Sequence, residues 1–155
     1  MQSAAMSCSS IAALPVMTPL GSGKLGLYRC RVCGSSVQVL KRGGMSLHCC
    51  GRDMVPEMPK SQGEGTQAHQ PTLLERDGQL MVVIGQPPHI MDEDHRIVWI
   101  EIVAEGRCWR QFLEPGQPPQ AAFPACGGLI TARAYCSVHG LWKSPLFHVK
   151  TPDGG

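Results

Sequence analysis

The sequence predicts an all-β chain in two parts, a small N-terminal unit followed by a β-sandwich. Three observations carry this. Gly and Pro number 18 and 13 among 155 residues, a turn-former content that does not suit a helix bundle. Short apolar and β-branched runs recur at roughly regular spacing between turn signals, as in a sandwich. No segment sustains the helical period of apolar residues.

The elements follow in order. Residues 1–24 are small, polar and proline-marked and read as a disordered extension. Met6 and Met17 leave the start open, and Cys8 reads as an incidental thiol. Residues 25–59 form the first unit, with strands expected over 28–32, 36–41 and 46–49 and a turn at Gly43-Gly44. So short a unit cannot bury enough surface to fold alone, and a bound metal would staple it. Residues 60–155 form the second unit, joined through the polar stretch PKSQGEGT at 59–66. Strands are expected over 72–75 and 79–84, flanking the hairpin signal Asp77-Gly78. The run 96–104 is apolar on both faces, which suits a central strand covered on both sides. Further strands are expected over 109–113, 129–135 and 145–150.

The formal net charge of +2 is too balanced for a nucleic-acid or anionic-membrane partner. The first 23 residues contain no Lys or Arg, so the charged start of a secretory signal is missing. No apolar run approaches a membrane span. A reducing, cytoplasmic compartment is therefore expected, and the high count of eight cysteines points to metal ligation rather than a disulfide framework.

Two constellations carry the chemistry. Cys30 and Cys33 stand in a C-x-x-C knuckle, followed after fifteen intervening residues by the adjacent pair Cys49-Cys50. Adjacent side chains project in opposed directions from an extended chain, so holding one ion through both distorts the backbone there. Gly34 and Gly51 follow the two pairs and allow the turns. Four thiolates suit zinc and iron equally. The second constellation is His69, His89, His95, Cys136 and His139, each at a strand end or in a loop. Five ligands exceed the tetrahedral preference of zinc and would leave an octahedral ion one open position, opposite an electron-donating thiolate. His48 reads as a strand residue, His148 as a surface residue, and Cys108 and Cys126 as buried free thiols.

At these residues the chain resembles the desulfoferrodoxins, the two-iron superoxide reductases. The likeness runs from about Tyr28 to Lys143 and includes the cysteine pattern and the stretches IGQPPHIMDEDHRIVWIE and ARAYCSVHGLWK. The resemblance implies two iron ions per chain. Cys30, Cys33, Cys49 and Cys50 would hold a rubredoxin-like iron in a desulforedoxin-like unit. His69, His89, His95 and His139 would form a square plane around a catalytic iron in an immunoglobulin-like sandwich, with Cys136 as axial thiolate. It further implies one-electron reduction of superoxide to hydrogen peroxide as a defence against oxidative stress, a rubredoxin-like electron donor and a homodimer. The backbone amides of Ser137 and Val138 are expected to temper the thiolate. One departure stands out. The family's Glu-Lys-His-x-Pro motif reads here Gln67-Ala68-His69-Gln70-Pro71, so the capping carboxylate and the superoxide-attracting lysine are missing. Glu64, Arg96 and Lys143 are the nearby charged residues, with both cations expected to be ordinary surface groups.

Overall fold

The computed structural model describes residues 26–41, 43–44, 46–104, 106–125 and 127–150. The extension 1–24, with Cys8, and Cys126 lie outside the described residues. The first unit contains β1 (Gly26–Arg29), β2 (Ser36–Val39), β3 (His48–Cys49), β4 (Arg52–Asp53) and β5 (Val55–Glu57). The second contains one helical turn, α1 (Thr66–His69), then β6 (Pro71–Arg76), β7 (Gln79–Ile84), β8 (Ile97–Ala104), β9 (Arg107–Phe112), β10 (Gln120–Pro124), β11 (Gly128–Cys136), β12 (Gly140–Lys143) and β13 (Phe147–Val149). No helix among the described residues is long and apolar enough to cross a membrane.

In the first unit β2, β1 and β5 form an antiparallel sheet, and β3 and β4 pair as a separate hairpin. The strand expected at 28–32 stops at Arg29, because the backbone turns back on itself there. Gly34 N–H donates to the Cys30 carbonyl at 3.0 Å and Cys30 N–H to that of Ser35 at 2.9 Å. The strand expected at 46–49 shrinks to His48–Cys49 and pairs outside the three-stranded sheet. Its expected place is taken by β5, an edge strand whose Pro56 has no N–H to offer a further neighbour.

The second unit is a sandwich. One sheet has the order β10-β7-β6 and the other β12-β11-β8-β9, with β13 also paired to β11. Along β7, Leu80, Val82 and Ile84 alternate inward as the strand period requires. They meet Ile97, Ile100, Ile102, Ile130, Ala132 and Ala134 of the other sheet. The expectation that β8 is covered on both faces holds. Trp99, on its other face, packs with Leu27 of β1, Tyr135 and Leu141, and Ser36 of β2 lies 3.2 Å from the Tyr135 hydroxyl. The first unit is thus the second cover of β8.

The same outer face buries one charge. Glu101 is fully buried, and its carboxylate pairs with the guanidinium groups of both Arg110 and Arg133. Arg110 also donates to Gln38 at 2.8 Å and stacks 4.4 Å over Trp99. Cys108, expected to be buried, is exposed on edge strand β9. Its thiol lies 3.3 Å from Glu101, and partial burial together with that carboxylate pushes it up to about 11. His148 is exposed, as expected.

Candidate metal centres

The four cysteines converge at one end of the first unit, with all four sulfurs within 4.8 Å of one another. Cys30 and Cys33 bracket the turn after β1, and Cys49 and Cys50 sit at the tip of the β3–β4 hairpin. The adjacent pair is re-aimed by a left-handed step, φ 51° at Cys50 and 70° at Gly51, which is the expected backbone distortion. The Cys33–Cys49 and Cys49–Cys50 sulfur separations are 3.6 and 3.9 Å. A tetrahedral ion with metal–sulfur bonds of about 2.3 Å requires sulfur edges of about 3.8 Å. The cluster therefore fits a four-coordinate soft ion. The Ser35 hydroxyl, 3.2 Å away, and the Ser35 backbone hold the Cys33 thiol down to about 6. The hydrogen bond with Cys33 pushes Cys49 up to about 12. Without an ion the cluster thus keeps protons on part of its sulfur, and loading must release them. His48 stays outside, 2.7 Å from Asp53.

The second group brings together His69, His89, His95, Cys136 and His139, again with ligand atoms within 4.8 Å. Each comes from a different place: α1, the loop after β7, the loop before β8, the end of β11 and the turn into β12. The rings stand in the order His69, His89, His95, His139, with neighbouring centroids 4.7, 4.8, 4.8 and 4.6 Å apart. His69 and His95 face each other at 6.4 Å, close to the diagonal that a square of such sides requires. His139 Nδ1 lies 2.9 Å from His69 Nε2 and 3.1 Å from His95 Nε2. These are the adjacent-ligand separations of a planar set with bonds of about 2.1 Å. Cys136 Sγ lies 3.5 Å from both His89 Nε2 and His139 Nδ1, out of the plane and fully buried.

Neighbouring groups fix these orientations. His69 Nδ1 lies 2.8 Å from the Gly65 carbonyl, and His89 Nδ1 bonds the Ile90 carbonyl. Each contact puts the proton on Nδ1 and turns the Nε2 lone pair inward. Burial is the main force lowering the proton affinity of His89, to about 4, and it lowers His69 and His139 as well. Burial raises that of Cys136, opposed by the backbone N–H groups of His139 and Val138. His139 N–H points at the sulfur from 3.4 Å. The expected role of Val138 is therefore supported, but that of Ser137 is not. Its N–H is spent on the Arg96 carbonyl at 2.9 Å, extending the β11–β8 ladder past the irregularity at Cys136.

A cavity of about 290 Å3 opens on the rings, lined by Gln67, Ala68, Pro87, Pro88 and Ile90 beside His69, His89 and His95. Neither Cys136 nor His139 takes part in that lining. Glu64 is exposed and outside the ligand group, and neither Arg96 nor Lys143 lines the cavity. Arg96 turns its guanidinium to the Glu93 carbonyl.

Three supports are not signalled by sequence spacing. Trp142 stacks on His69 at 4.8 Å and 13°. Gly85 has φ 83°, and a Cβ there would lie 2.6 Å from the Ala68 carbonyl oxygen, so only glycine lets α1 close onto the His89 loop. Lys60 Nζ donates to the His139 carbonyl at 2.9 Å.

The lowered His89 value gives a pH prediction for the metal-free protein. Unfolded chains bind the proton near 6.5, while the folded chain resists it until about 4. Between those values the unfolded state holds more protons, so stability falls as pH falls through this window. Urea midpoints of the metal-free protein should drop across it, and drop less in His89→Gln.

Comparisons with known proteins give matches over most of the chain. Residues 22–56 match the family model "Desulfoferrodoxin, N-terminal domain", and residues 62–145 match "Desulfoferrodoxin". A desulfoferrodoxin of Desulfarculus baarsii is 40% identical over 121 residues, covering 78% of this chain and 96% of the relative. A superoxide reductase of Pyrococcus horikoshii is 29% identical over 112 residues, covering 60% of this chain and 97% of the relative. Among solved structures, the superoxide reductase from Treponema pallidum superposes with a TM-score of 0.64 at 17% identity, over 79% of this chain and 98% of that one, a likeness of fold.

Proposed function

The chain belongs to the desulfoferrodoxin family, and from that premise we propose that it is a superoxide reductase carrying two iron ions. The catalytic ion is held by His69, His89, His95, His139 and Cys136, and the second by Cys30, Cys33, Cys49 and Cys50. The observation that carries the reading is the square of four rings with a buried thiol against it and a cavity opening on three of the rings. Iron held by these residues would supply one electron to superoxide, which with two protons becomes hydrogen peroxide.

The residues do the rest. The Gly65 and Ile90 carbonyls hold His69 and His89 in the tautomer that points Nε2 inward. His139 N–H stabilises negative charge on the Cys136 sulfur. Gln67 and Ala68 offer no carboxylate to occupy the face toward the cavity, so a small anion reaches it without displacing a side chain. Electrons return from an external donor, for which a rubredoxin-like protein is the expected class. The proposed organisation is an extension at 1–24, a desulforedoxin-like unit at 25–59 and the catalytic sandwich at 60–155, acting as a homodimer in the cytoplasm.

Iron per chain, measured with the visible spectrum of the oxidised protein, tests this. Two irons and two distinguishable visible bands are expected, whereas colourless, zinc-loaded protein would contradict the reading. Cys50→Ser separates the centres. It should lose the cysteine-held iron and its colour, keep one iron per chain, and retain superoxide reduction within about twofold, since Cys50 touches none of the rings. Loss of activity with the histidine-held iron still bound would show the division of roles to be wrong.

A further inference from the structure

The wall of the cavity over the rings carries no charged side chain besides the imidazoles: Gln67, Ala68, Gln86, Pro87, Pro88 and Ile90 complete it. A cation reaches the same rings from another direction. Lys60, three residues past β5, runs alongside β12 as a parallel bridge to Trp142. Its backbone is clamped on both sides. Its N–H donates to the Leu141 carbonyl, and Lys143 N–H donates to its own carbonyl, both at 2.9 Å. Its ammonium donates to the carbonyl of His139 at 2.9 Å and stands 5.3 Å over the Trp142 ring, which in turn stacks on His69.

We propose that Lys60 is the cation of the catalytic site. By this reading its ammonium anchors the ligand loop through the His139 carbonyl and sets a fixed positive charge at the His69–His139 edge that draws in the anionic substrate. The proposal rests on the superoxide reading and adds to it the residue that speeds capture.

Two physical points support it. An ammonium bonded to a carbonyl and lying over an indole face has lost most of the freedom of a surface lysine, so its charge is fixed in place. Lys60 is also exposed, so its field reaches the solution from which a small anion arrives and is screened by salt there. Arg96, a cation next to a ligand in sequence, is turned to the Glu93 carbonyl.

The test uses the iron-loaded full chain and two readouts. One is the bimolecular rate with superoxide at several ionic strengths. The other is the affinity of the oxidised protein for azide, a small monoanion followed in the visible spectrum, which reports the charge even if superoxide is not the substrate. Lys60→Met and Lys60→Gln should each lower both by about two- to fivefold and flatten the salt dependence, and Lys60→Arg should restore both. Full iron with unchanged rate, azide affinity and salt slope in Lys60→Gln would overturn the proposal. So would a Lys60→Arg variant that behaves like Lys60→Met. If the neutral variants lose iron, Arg96→Gln and Lys143→Gln decide. Salt sensitivity that persists in both supports Lys60, and its disappearance in either assigns the charge to that residue instead. Wild-type protein that binds azide with this Lys60 dependence but does not reduce superoxide would overturn the functional reading while leaving the charge assignment standing.

Discussion

Cys136→Ser should abolish the sulfur-to-iron charge-transfer colour of the catalytic centre and lower superoxide reduction by more than about 100-fold. Cys136 is fully buried at the end of β11, and burial raises the proton affinity of its thiol. Sulfur is nevertheless ionised easily by a bound cation, helped by His139 N–H at 3.4 Å. A serine hydroxyl in the same place is a harder and far weaker acid, so the same N–H and the same ion leave it a poor anionic donor. Serine is close in size, and His69 and His89 keep their Nδ1 anchors, so the fold and some iron should persist. The checks are iron content, the visible spectrum and stopped-flow or pulse-radiolysis rates. An unchanged oxidised spectrum with full iron would remove Cys136 from the ligand set.

Glu101→Leu should destabilise the protein by about 3 kcal/mol or more. The Glu101 carboxylate is fully buried and pairs with both Arg110 and Arg133. Removing it leaves two guanidinium groups facing each other with no anion between them. Their side chains are 22% and 16% exposed, so water reaches them in part, and Arg110 keeps its bond to Gln38. Those two facts place the expected loss at the lower end of the range for breaking a buried pair. Changing all three residues together, Glu101→Leu with Arg110→Met and Arg133→Leu, should recover most of it, because no unpaired charge is then left behind. Urea unfolding measures both. A loss under about 1 kcal/mol for the single change would mean that the arginines find other partners.

The sequence exposes the two centres because metal ligation demands particular residue types, and Cys and His are scarce enough for their spacing to stand out. The hairpin at Asp77-Gly78 and the doubly covered strand over 97–104 are legible for a similar reason, since turn chemistry and β-branched runs leave local marks. Strands β5, β10 and β12 leave weak ones. Val55–Glu57 contains a proline, Gln120–Pro124 is alanine-rich and flanked by prolines, and Gly140–Lys143 is four residues long. They become strands because neighbours supply their hydrogen bonds. Charge around the site was the hardest to read. Arg96 and Lys143 adjoin the ligands in sequence, yet neither lines the cavity. Lys60 reaches His139 across 79 positions, through a backbone bridge to β12 that no local pattern announces. The thiolate donors show the same limit. Chain proximity suggested Ser137, and the β11–β8 ladder had already engaged its N–H.

The most direct measurement of the central claim is the product balance of the pre-reduced, two-iron protein given less superoxide than it has reducing equivalents. A reductase converts each superoxide to one hydrogen peroxide, with one electron drawn from the protein and no dioxygen released. That one-to-one yield, with the visible bands of the oxidised iron growing in step, is the predicted result. One peroxide for every two superoxides, with dioxygen evolved and the iron unchanged at the end, would be dismutation and would contradict the account.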